Sequence, residues 1–440
     1  SFLAIDTGLL YFKLSATSGN WSTGYQFGRG EKGDDGTPGA PGTNGAASSA
    51  YVVYGNAAGE GISLTGGTIA LSRGFKISGV GDDETGHSVS SAGDINGDGF
   101  DDILVGSYDR DANSIPDSEG ATFIIYGGAS GNHVNLANFQ TSQGVKITGA
   151  ENERSGHSVS NAGDVNGDGL NDIIVGAIIS GQPEEIGAAY VIYGRTSGMD
   201  LNLFSNTTLD PSRGFKLVGV TGSDGATIIG NAVSSAGDFN GDGFADVIVG
   251  AANHTDAYII FGGPSGQTGG DVISLVNAGQ GVRINGLLTD LGLGSRVTGV
   301  GDFNGDGFAD VAMVGNNADN NSVARIIYGR NTSGTINVSS AASASSGFGI
   351  AATLGTGVGD RIDKISGAGD MNGDGLADLM VAGYNHANYQ GWTYVVYGAT
   401  NAPNLTLNGS IAASRGFMLQ GEFMGEGLST AGDFNGDGLD

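Results

Sequence analysis

A nine-residue pattern of carboxylates and an amide, D-x-N-x-D-G-x-x-D, occurs in complete form five times in the chain. Its positions 1, 3, 5 and 9 carry side-chain oxygens, and the backbone carbonyl of position 7 can add another. Calcium takes about six to eight hard oxygen ligands, and a tight turn bent at the glycine of position 6 can direct these oxygens inward. The pattern therefore predicts calcium-binding loops, about five in number.

The predicted calcium ligands comprise five complete sets and one set in which the sequence reaches only position 8. They are Asp94, Asn96, Asp98, Phe100 and Asp102; Asp164, Asn166, Asp168, Leu170 and Asp172; Asp238, Asn240, Asp242, Phe244 and Asp246; Asp302, Asn304, Asp306, Phe308 and Asp310; Asp370, Asn372, Asp374, Leu376 and Asp378; and Asp433, Asn435, Asp437 and Leu439.

Three other interpretations of the loops were compared with calcium binding. An EF-hand needs a Glu at position 12 followed by a helix, and here position 12 is Val or Met inside an apolar run. Magnesium suits an all-protein oxygen cage poorly, because its small octahedral shell usually keeps several waters. Plain Asx-rich hairpin turns without a metal are the remaining alternative, and five complete copies favour calcium over them.

The acidic loops belong to a repeat whose copies begin 63 to 74 residues apart. In each copy, four runs rich in Val, Ile, Phe and Tyr are separated by Gly, Asn and Asp, which predicts four short antiparallel strands. Repeated four-stranded units predict an all-β β-propeller of six to seven blades. The runs "AYVVYG" from Ala50 and "RGFKISG" from Arg73 match the third and fourth strands of a further blade.

The repeat resembles a known family. The unit "SGHSVSNAGDVNGDGLNDIIVGA" from Ser155 is similar to the FG-GAP repeat of integrin α-subunit propellers and bacterial surface proteins, and the resemblance extends over residues 50–440. It implies a propeller, usually seven-bladed, with calcium in several blades and an adhesive function. The chain departs from the family pattern where "GH", "GN" or "GS" replaces "FG" before the first strand.

The N-terminal region has a different composition. Gly recurs at every third position from Gly30 to Gly45, the pattern that a collagen triple helix requires, with a flexible linker as the alternative. The preceding segment from Gly8 resembles the small β-module before collagen-like stems in phage tail fibres, which implies a trimeric shaft. We therefore expect a β-module over residues 1–27, a collagen-like stem over 28–47, and a propeller over 48–440 that continues beyond this sequence.

Composition limits the function classes. The 440 residues carry a formal charge of −28, which argues against a nucleic-acid partner because binding phosphates requires basic patches. The chain has no Cys, and therefore neither disulfides nor thiolate metal sites. No apolar run is long enough to predict a membrane span.

Catalysis is not predicted. Motifs such as HExxH, GxSxG and the P-loop are absent. His87 and His157 share one repeat position, which holds Asn231 and Ser295 in later units, and we expect them to be structural. Asp109 and Asp117 are the least implausible pair of carboxylates for a glycosidase.

A partner is expected on the face opposite the acidic loops, where irregular connections join the second and third strands. The candidate ligand-binding residues there are Tyr108, Arg110, His254, Tyr384, His386, Tyr389 and Trp392. The sequence thus favours an extracellular adhesion or receptor-binding propeller on a homotrimeric stem, in a virion tail fibre or on a bacterial surface, that recognises a cell-surface glycan or protein. The alternatives are a secreted hydrolase built on a propeller and an architectural spacer.

Overall fold

The computed structural model describes part of the chain, and the account below concerns only those residues. They are 9–10, 25–26, 48–54, 68–80, 83–109, 119–129, 131–178, 186–197, 201–203, 209–222, 225–251, 255–264, 267, 269–286, 291–316, 322–338, 347–352, 362–385, 390–401, 403–422 and 427–430.

The described residues form 31 strands and very little helix. In chain order the strands are β1 (Leu9–Leu10), β2 (Tyr25–Gln26), β3 (Ser49–Val53), β4 (Gly74–Ser78), β5 (Ser88–Gly93), β6 (Asp102–Ser107), β7 (Ala121–Ile125), β8 (Val134–Asn135), β9 (Gly144–Thr148), β10 (Ser155–Gly163), β11 (Asp172–Ala177), β12 (Ala188–Ile192), β13 (Leu201–Asn202), β14 (Gly214–Val218), β15 (Val220–Gly222), β16 (Gly225–Thr227), β17 (Val233–Gly237), β18 (Asp246–Ala251), β19 (Asp256–Ile260), β20 (Gly270–Asp271), β21 (Gly281–Asn285), β22 (Leu291–Gly301), β23 (Asp310–Asn316), β24 (Ser322–Ile327), β25 (Gly334–Asn337), β26 (Gly347–Ala352), β27 (Ile362–Gly369), β28 (Asp378–Asn385), β29 (Gln390–Val396), β30 (Leu405–Leu407) and β31 (Gly416–Glu422).

Five successive units of the chain each build a four-stranded antiparallel sheet, as the repeat predicts. The sheets are β5-β6-β7-β9, β10-β11-β12-β14, β17-β18-β19-β21, β22-β23-β24-β26 and β27-β28-β29-β31. The pair β3-β4 is also antiparallel and occupies the third and fourth places of a blade. The all-β class is confirmed, and the only described helices are a 3₁₀ turn at Leu136–Asn138 and α1 at Val272–Asn277.

A fifth strand completes most of these sheets, and the sequence analysis did not foresee it. The short strand between the third and fourth strands of one unit pairs in parallel with the fourth strand of the preceding sheet: β8 with β4, β13 with β9, β20 with β14, β25 with β21 and β30 with β26. An exposed strand edge is a template for aggregation. Each unit therefore covers the outer edge of its neighbour and ties the two sheets together.

Neighbouring sheets pack through their first strands, which lie side by side. The amide of Val159 in β10 donates to Ser88 Oγ in β5 at 2.8 Å, and the amide of Val233 in β17 donates to Ser158 Oγ at 3.2 Å. Apolar clusters fill the space between the sheets; one joins Leu104 and Ile124 of the first sheet to Val175 and Tyr190 of the second. Similar sheets that pack against one another through their neighbouring first strands form a β-propeller.

Close packing between sheets depends on paired glycines. A Cβ on Gly106, Gly176 or Gly250, each in a second strand, would lie about 2 Å from the carbonyl oxygen of a first-strand glycine in the next sheet. Those partners precede or begin the first strands and have positive φ: Gly156 at 89° and Gly230 at 88°. The "G" of the "GH" and "GN" slots is therefore a packing residue.

At the chain ends, only part of the predicted structure lies within the described residues. β1 and β2 pair antiparallel within the predicted β-module, whereas residues 28–47 and the sixth loop, with Asp433, Asn435, Asp437 and Leu439, lie outside the described residues. No described helix has the length and apolar character required to cross a bilayer. The number of blades, the domain boundaries and the stem stay predictions.

Candidate functional site

The five complete acidic loops connect the first and second strands of the five sheets and share one internal hydrogen-bond pattern. In the first loop, Asp94 Oδ1 accepts from the amide of Asp98 at 3.0 Å and Asp94 Oδ2 accepts from the amide of Gly99 at 2.8 Å. Gly99 has a φ of 88°, which only glycine adopts easily. The same two bonds recur in the other loops, so position 1 organises every turn.

Positions 3 and 5 face each other within each loop. Asn96 Nδ2 donates to Asp98 Oδ2 at 3.0 Å, and Asp98 Oδ1 accepts from the amide of Phe100 at 3.0 Å. Equivalent bonds occur in the remaining four loops. The loop thus holds the side chains of positions 1, 3 and 5 on one short segment of exposed chain.

The aspartate of position 9 is the buried member of the set. Asp102 begins β6 with no exposed surface, and its carboxylate accepts from the amides of Ile95 at 3.2 Å and Gly127 at 2.7 Å. Burial raises the pKa of Asp102 to about 7, and Asp98 and Asp94 add to the rise. Asp172, Asp246 and Asp310 behave alike, each with a pKa of about 7, and the pKa of Asp378 is raised to about 6.

Adjacent loops are also linked to one another. The amide of Ala245 donates to the carbonyl of Asp164 at 3.0 Å, and the amides of Ala309 and Ala377 make the same bond to the loops before them. The position-7 side chain of each loop covers the position-4 glycine of the preceding one, so that a Cβ on Gly167 would lie 2.4 Å from the Phe244 ring. The loops therefore form a continuous chain of contacts at one end of the propeller.

The oxygen atoms of the acidic loops suit a hard cation, although the side chains that carry them do not converge on one point. No three His, Cys, Asp or Glu side chains in the described residues are arranged to hold a metal ion, because the loop's own amides engage their oxygens. The groups are nevertheless all oxygens, and the buried position-9 carboxylate has a raised pKa despite its two backbone donors. A bound cation would offset that cost of burial, and the set contains no nitrogen or sulfur ligand.

The predicted partner face is described in part. Tyr108 is half-buried, and its ring contacts His87 at 4.5 Å and His157 at 5.4 Å between centroids. Trp392 lies in β29, is 6% exposed and packs edge-on against Tyr394 at 5.3 Å. The irregular connection predicted from Tyr384 to Trp392 is wrong at both ends, because β28 runs to Asn385 and β29 begins at Gln390. Arg110, His254, His386 and Tyr389 lie outside the described residues.

The carboxylates considered for catalysis do not form a described pair. Asp109 is half-buried and lies 3.8 Å from Arg154 Nη2, and Asp117 is outside the described residues. A second carboxylate near the partner face, Glu153, is buried and pairs with Lys216 Nζ at 2.7 Å. Sequence reasoning missed Glu153 and Arg154. The signal that could have located them is the segment "ENERS", which lies just before the "GH" slot and varies from unit to unit.

His157 is a half-buried base whose protonation opposes folding. Burial is the largest cause that lowers its pKa to about 4, and the charges of His87, Arg296 and Arg154 lower it further, while a hydrogen bond to the Asn231 backbone raises it. Since the ordinary histidine pKa is about 6.5, the unfolded chain binds more protons than the folded chain between pH 6.5 and 4. The stability that neutral His157 permits is therefore lost as the pH falls through this window.

The effect of His157 on the pH dependence of stability can be measured by comparing the full chain with one variant. Between pH 7 and pH 5, the full chain is expected to lose about 2 kcal/mol of unfolding free energy relative to His157→Asn, the residue that a later unit carries in the same slot. The measurement is urea unfolding of both proteins at the two pH values, which cancels the opposite effect of the buried aspartates. Equal pH dependence of the two proteins would contradict the assignment.

Comparisons with known proteins support the repeat. Three segments, residues 85–124, 155–192 and 230–270, match the FG-GAP repeat, and each spans the first three strands of one sheet. Integrin alpha-4 of Xenopus laevis is 32% identical over 160 residues, which is 36% of this chain and 14% of that protein; integrin alpha-5 of the same species is 31% identical over 171 residues, or 38% and 14%. The chain thus spans about one seventh of the length of these relatives.

Among solved structures, the fucose-specific lectin from Aleuria aurantia aligns over 72% of this chain and 78% of its own at 15% identity, with a TM-score of 0.32. The sequence matches and the observed sheets thus agree: three of the five sheets carry segments similar to the FG-GAP repeat, which supports a β-propeller of such repeats.

Proposed function

We propose that this chain is a calcium-stabilised propeller that binds a cell-surface glycan or protein outside the cell. The observation that carries the proposal is the coincidence of the FG-GAP matches with the acidic loops, since each matched segment contains one complete loop. Integrin alpha subunits, to which these segments are similar, supply the analogy for adhesion. No comparison points to an enzyme family, so we propose no catalytic activity.

Calcium would be held by positions 1, 3, 5, 7 and 9 of each loop, which in the first loop are Asp94, Asn96, Asp98, the carbonyl of Phe100, and Asp102. When bound, the ion supplies positive charge to a cluster of carboxylates and a rigid point where two strands meet. The protein itself shapes the loops. The amides that bond to the loop side chains fix each turn, and the contacts between loops connect one turn to the next.

Ligand binding is proposed for the opposite end of the sheets. There the connections between second and third strands differ in length and sequence from unit to unit, while the strands that carry them are buried and regular. Variable loops on a rigid frame are the usual place for recognition. The test is calcium-dependent, saturable binding of the fluorescently labelled full chain to a panel of bacterial and animal cells; absence of saturable binding to any of them would favour an architectural spacer.

We further propose that residues 28–47 form a collagen-like triple helix, so that three propellers project from a virion fibre or a bacterial surface. Sedimentation equilibrium of the full chain is expected to give the mass of three chains. Replacement of Gly33 and Gly36 by Ala is expected to give the mass of one, because only glycine fits at the crowded axis of the triple helix. A single-chain mass for the unaltered protein would make the segment a linker.

A further inference from the structure

A second cluster of side chains lies at the end of the sheets away from the acidic loops. Successive units bring one residue each to this place, in the first strand or just before it: His87, His157, Asn231 and Ser295 occupy the same position in four units. The units touch there, since Asn231 Nδ2 donates to the carbonyl of Ser295 at 3.4 Å and the His87 and His157 rings are 5.1 Å apart. The inner ends of four sheets therefore meet at one surface.

Aromatic rings form one side of this surface. Tyr108 follows the second strand of the first sheet, and its ring meets both histidines edge-on at interplanar angles of 63° and 72°. Three rings from two sheets thus make a continuous contact. Aromatic faces of this kind pack well against the C–H groups of a sugar ring.

Two of the few cations in the chain lie at the same place. Only 18 of the 440 residues are Lys or Arg, yet the charges of both Arg154 and Arg296 act on His157. Arg154 has a φ of 43°, an unfavourable conformation for a residue with a side chain. Its neighbours hold it there: Glu153 pairs with Lys216, and the amide of Ser155 donates to the carbonyl of Glu119 at 2.9 Å. Glu84, at the equivalent place of the preceding unit, has a φ of 52°, so this turn belongs to the repeat and fixes where Arg154 lies.

Two buried polar atoms of the cluster have no hydrogen-bond partner in the structure, Arg154 Nε and His157 Nδ1. The guanidinium N–H is always a donor. Both atoms have almost no exposed surface, whereas the Arg154 side chain as a whole is 34% exposed, so a ligand would reach this guanidinium through its terminal nitrogens.

We propose that this surface, formed by His87, Tyr108, Arg154, His157 and Arg296 and called here the His–Arg cluster, binds the carboxylate of an acidic sugar. The carboxylate accepts from the terminal nitrogens of Arg154 and is attracted by Arg296, and the sugar ring lies against the aromatic rings. Asp109, whose carboxylate is 3.8 Å from Arg154 Nη2, already places one carboxylate beside this guanidinium. The proposal rests on the proposed binding function and names its ligand.

The test compares glucuronate with glucose, because the two sugars differ only by the carboxylate at one carbon. Isothermal titration calorimetry of the full chain in calcium at pH 7 is expected to show saturable binding of glucuronate and none of glucose. Arg154→Gln is expected to weaken glucuronate binding at least tenfold. The matched control is Arg195→Gln, which removes the same charge near the acidic loops, and it is expected to leave the affinity unchanged.

A direct signal keeps the test independent of variants that fail to fold. In the unaltered chain, glucuronate is expected to shift the imidazole NMR signals of His157 and His87, with the His157 signal assigned by its loss in His157→Asn. Equal binding of glucose and glucuronate, equal loss in Arg154→Gln and Arg195→Gln, or unshifted histidine signals would overturn the proposal. Cell binding that survives Arg154→Gln refutes the His–Arg cluster alone, whereas glucuronate binding without any cell binding refutes the proposed adhesive function alone.

Discussion

Removal of calcium is expected to lower the melting temperature of the full chain by about 10 °C or more. An ion that binds only the folded protein stabilises it by about 2.7 kcal/mol for each site when its concentration is a hundred times Kd, and five loops share this benefit. The chain has no disulfides to replace it. The measurement is differential scanning calorimetry in millimolar calcium and in excess chelator, with magnesium as the control ion.

The calcium-dependent stabilisation is expected to depend on the loop carboxylates in predicted ligand positions, and not on every acidic residue of the loop. Asp98 and Asp101 lie in the same exposed loop, but only Asp98 occupies a ligand position. Asp98→Asn keeps an oxygen that can accept from the amide of Phe100 and is expected to reduce the calcium-dependent stabilisation by about 1.4 kcal/mol or more, a tenfold loss of affinity at one site. Asp101→Asn is expected to leave it unchanged. Identical melts in calcium and in chelator would leave only metal-free Asx turns.

The second large effect concerns the packing of one sheet against the next. Gly176 lies in β11, and a Cβ there would be 2.1 Å from the carbonyl oxygen of Gly230. That oxygen belongs to backbone held between two sheets, so it cannot rotate away as a flexible side chain would. Gly176→Ala is therefore expected to destabilise the protein by about 3 kcal/mol, measured by urea unfolding in calcium.

A matched glycine separates this clash from the general effect of replacing glycine. A Cβ on Gly263 would have no heavy atom within 4 Å, and its φ does not lie in the positive region. Gly263→Ala is expected to change the unfolding free energy by less than about 0.5 kcal/mol. A comparable loss in both variants would show that the contact between Gly176 and Gly230 does not limit how closely the sheets approach.

Much of the fold could be predicted from sequence because each repeat contains strong local signals. The run "ATFIIYGG" from Ala121 is β-branched and aromatic, ends in glycines, and forms β7 at the expected place. The acidic loops carry their own turn chemistry, in which Asp94 bonds to the amides that follow it. Sequence and structure agree where the determining contacts lie within about ten residues.

The features that sequence reasoning missed depend on contacts between units. β8 and β13 have only two residues each, and their partners are strands of the preceding sheet, so no local pattern indicates them. α1 forms where Asp271 caps the short run after β20 by accepting from the amide of Ser274. The same limit applies to the His–Arg cluster, since Tyr108, Arg154 and Arg296 approach His157 from three units of the chain.

Trp392 shows that polar neighbours in the sequence can give a wrong prediction of where a large side chain lies. Its neighbours "YNHANYQG" are polar, which favoured a surface loop, yet β29 includes Gln390 and the indole packs in the core beside Tyr394. An aromatic residue at the start of a strand is buried or exposed according to which face of the sheet it occupies. That choice is fixed by the pairing of Trp392 with Gly383 and Gln420.

The central claim, that the acidic loops bind calcium in the folded propeller, is tested most directly by counting the ions. Isothermal titration of calcium into the chelator-treated full chain, checked by metal analysis of the dialysed protein, is predicted to give about five ions per chain, with Asp98→Asn weakening the binding of one of them at least tenfold. The absence of saturable calcium binding in protein that keeps its β-sheet circular dichroism signal would contradict the account.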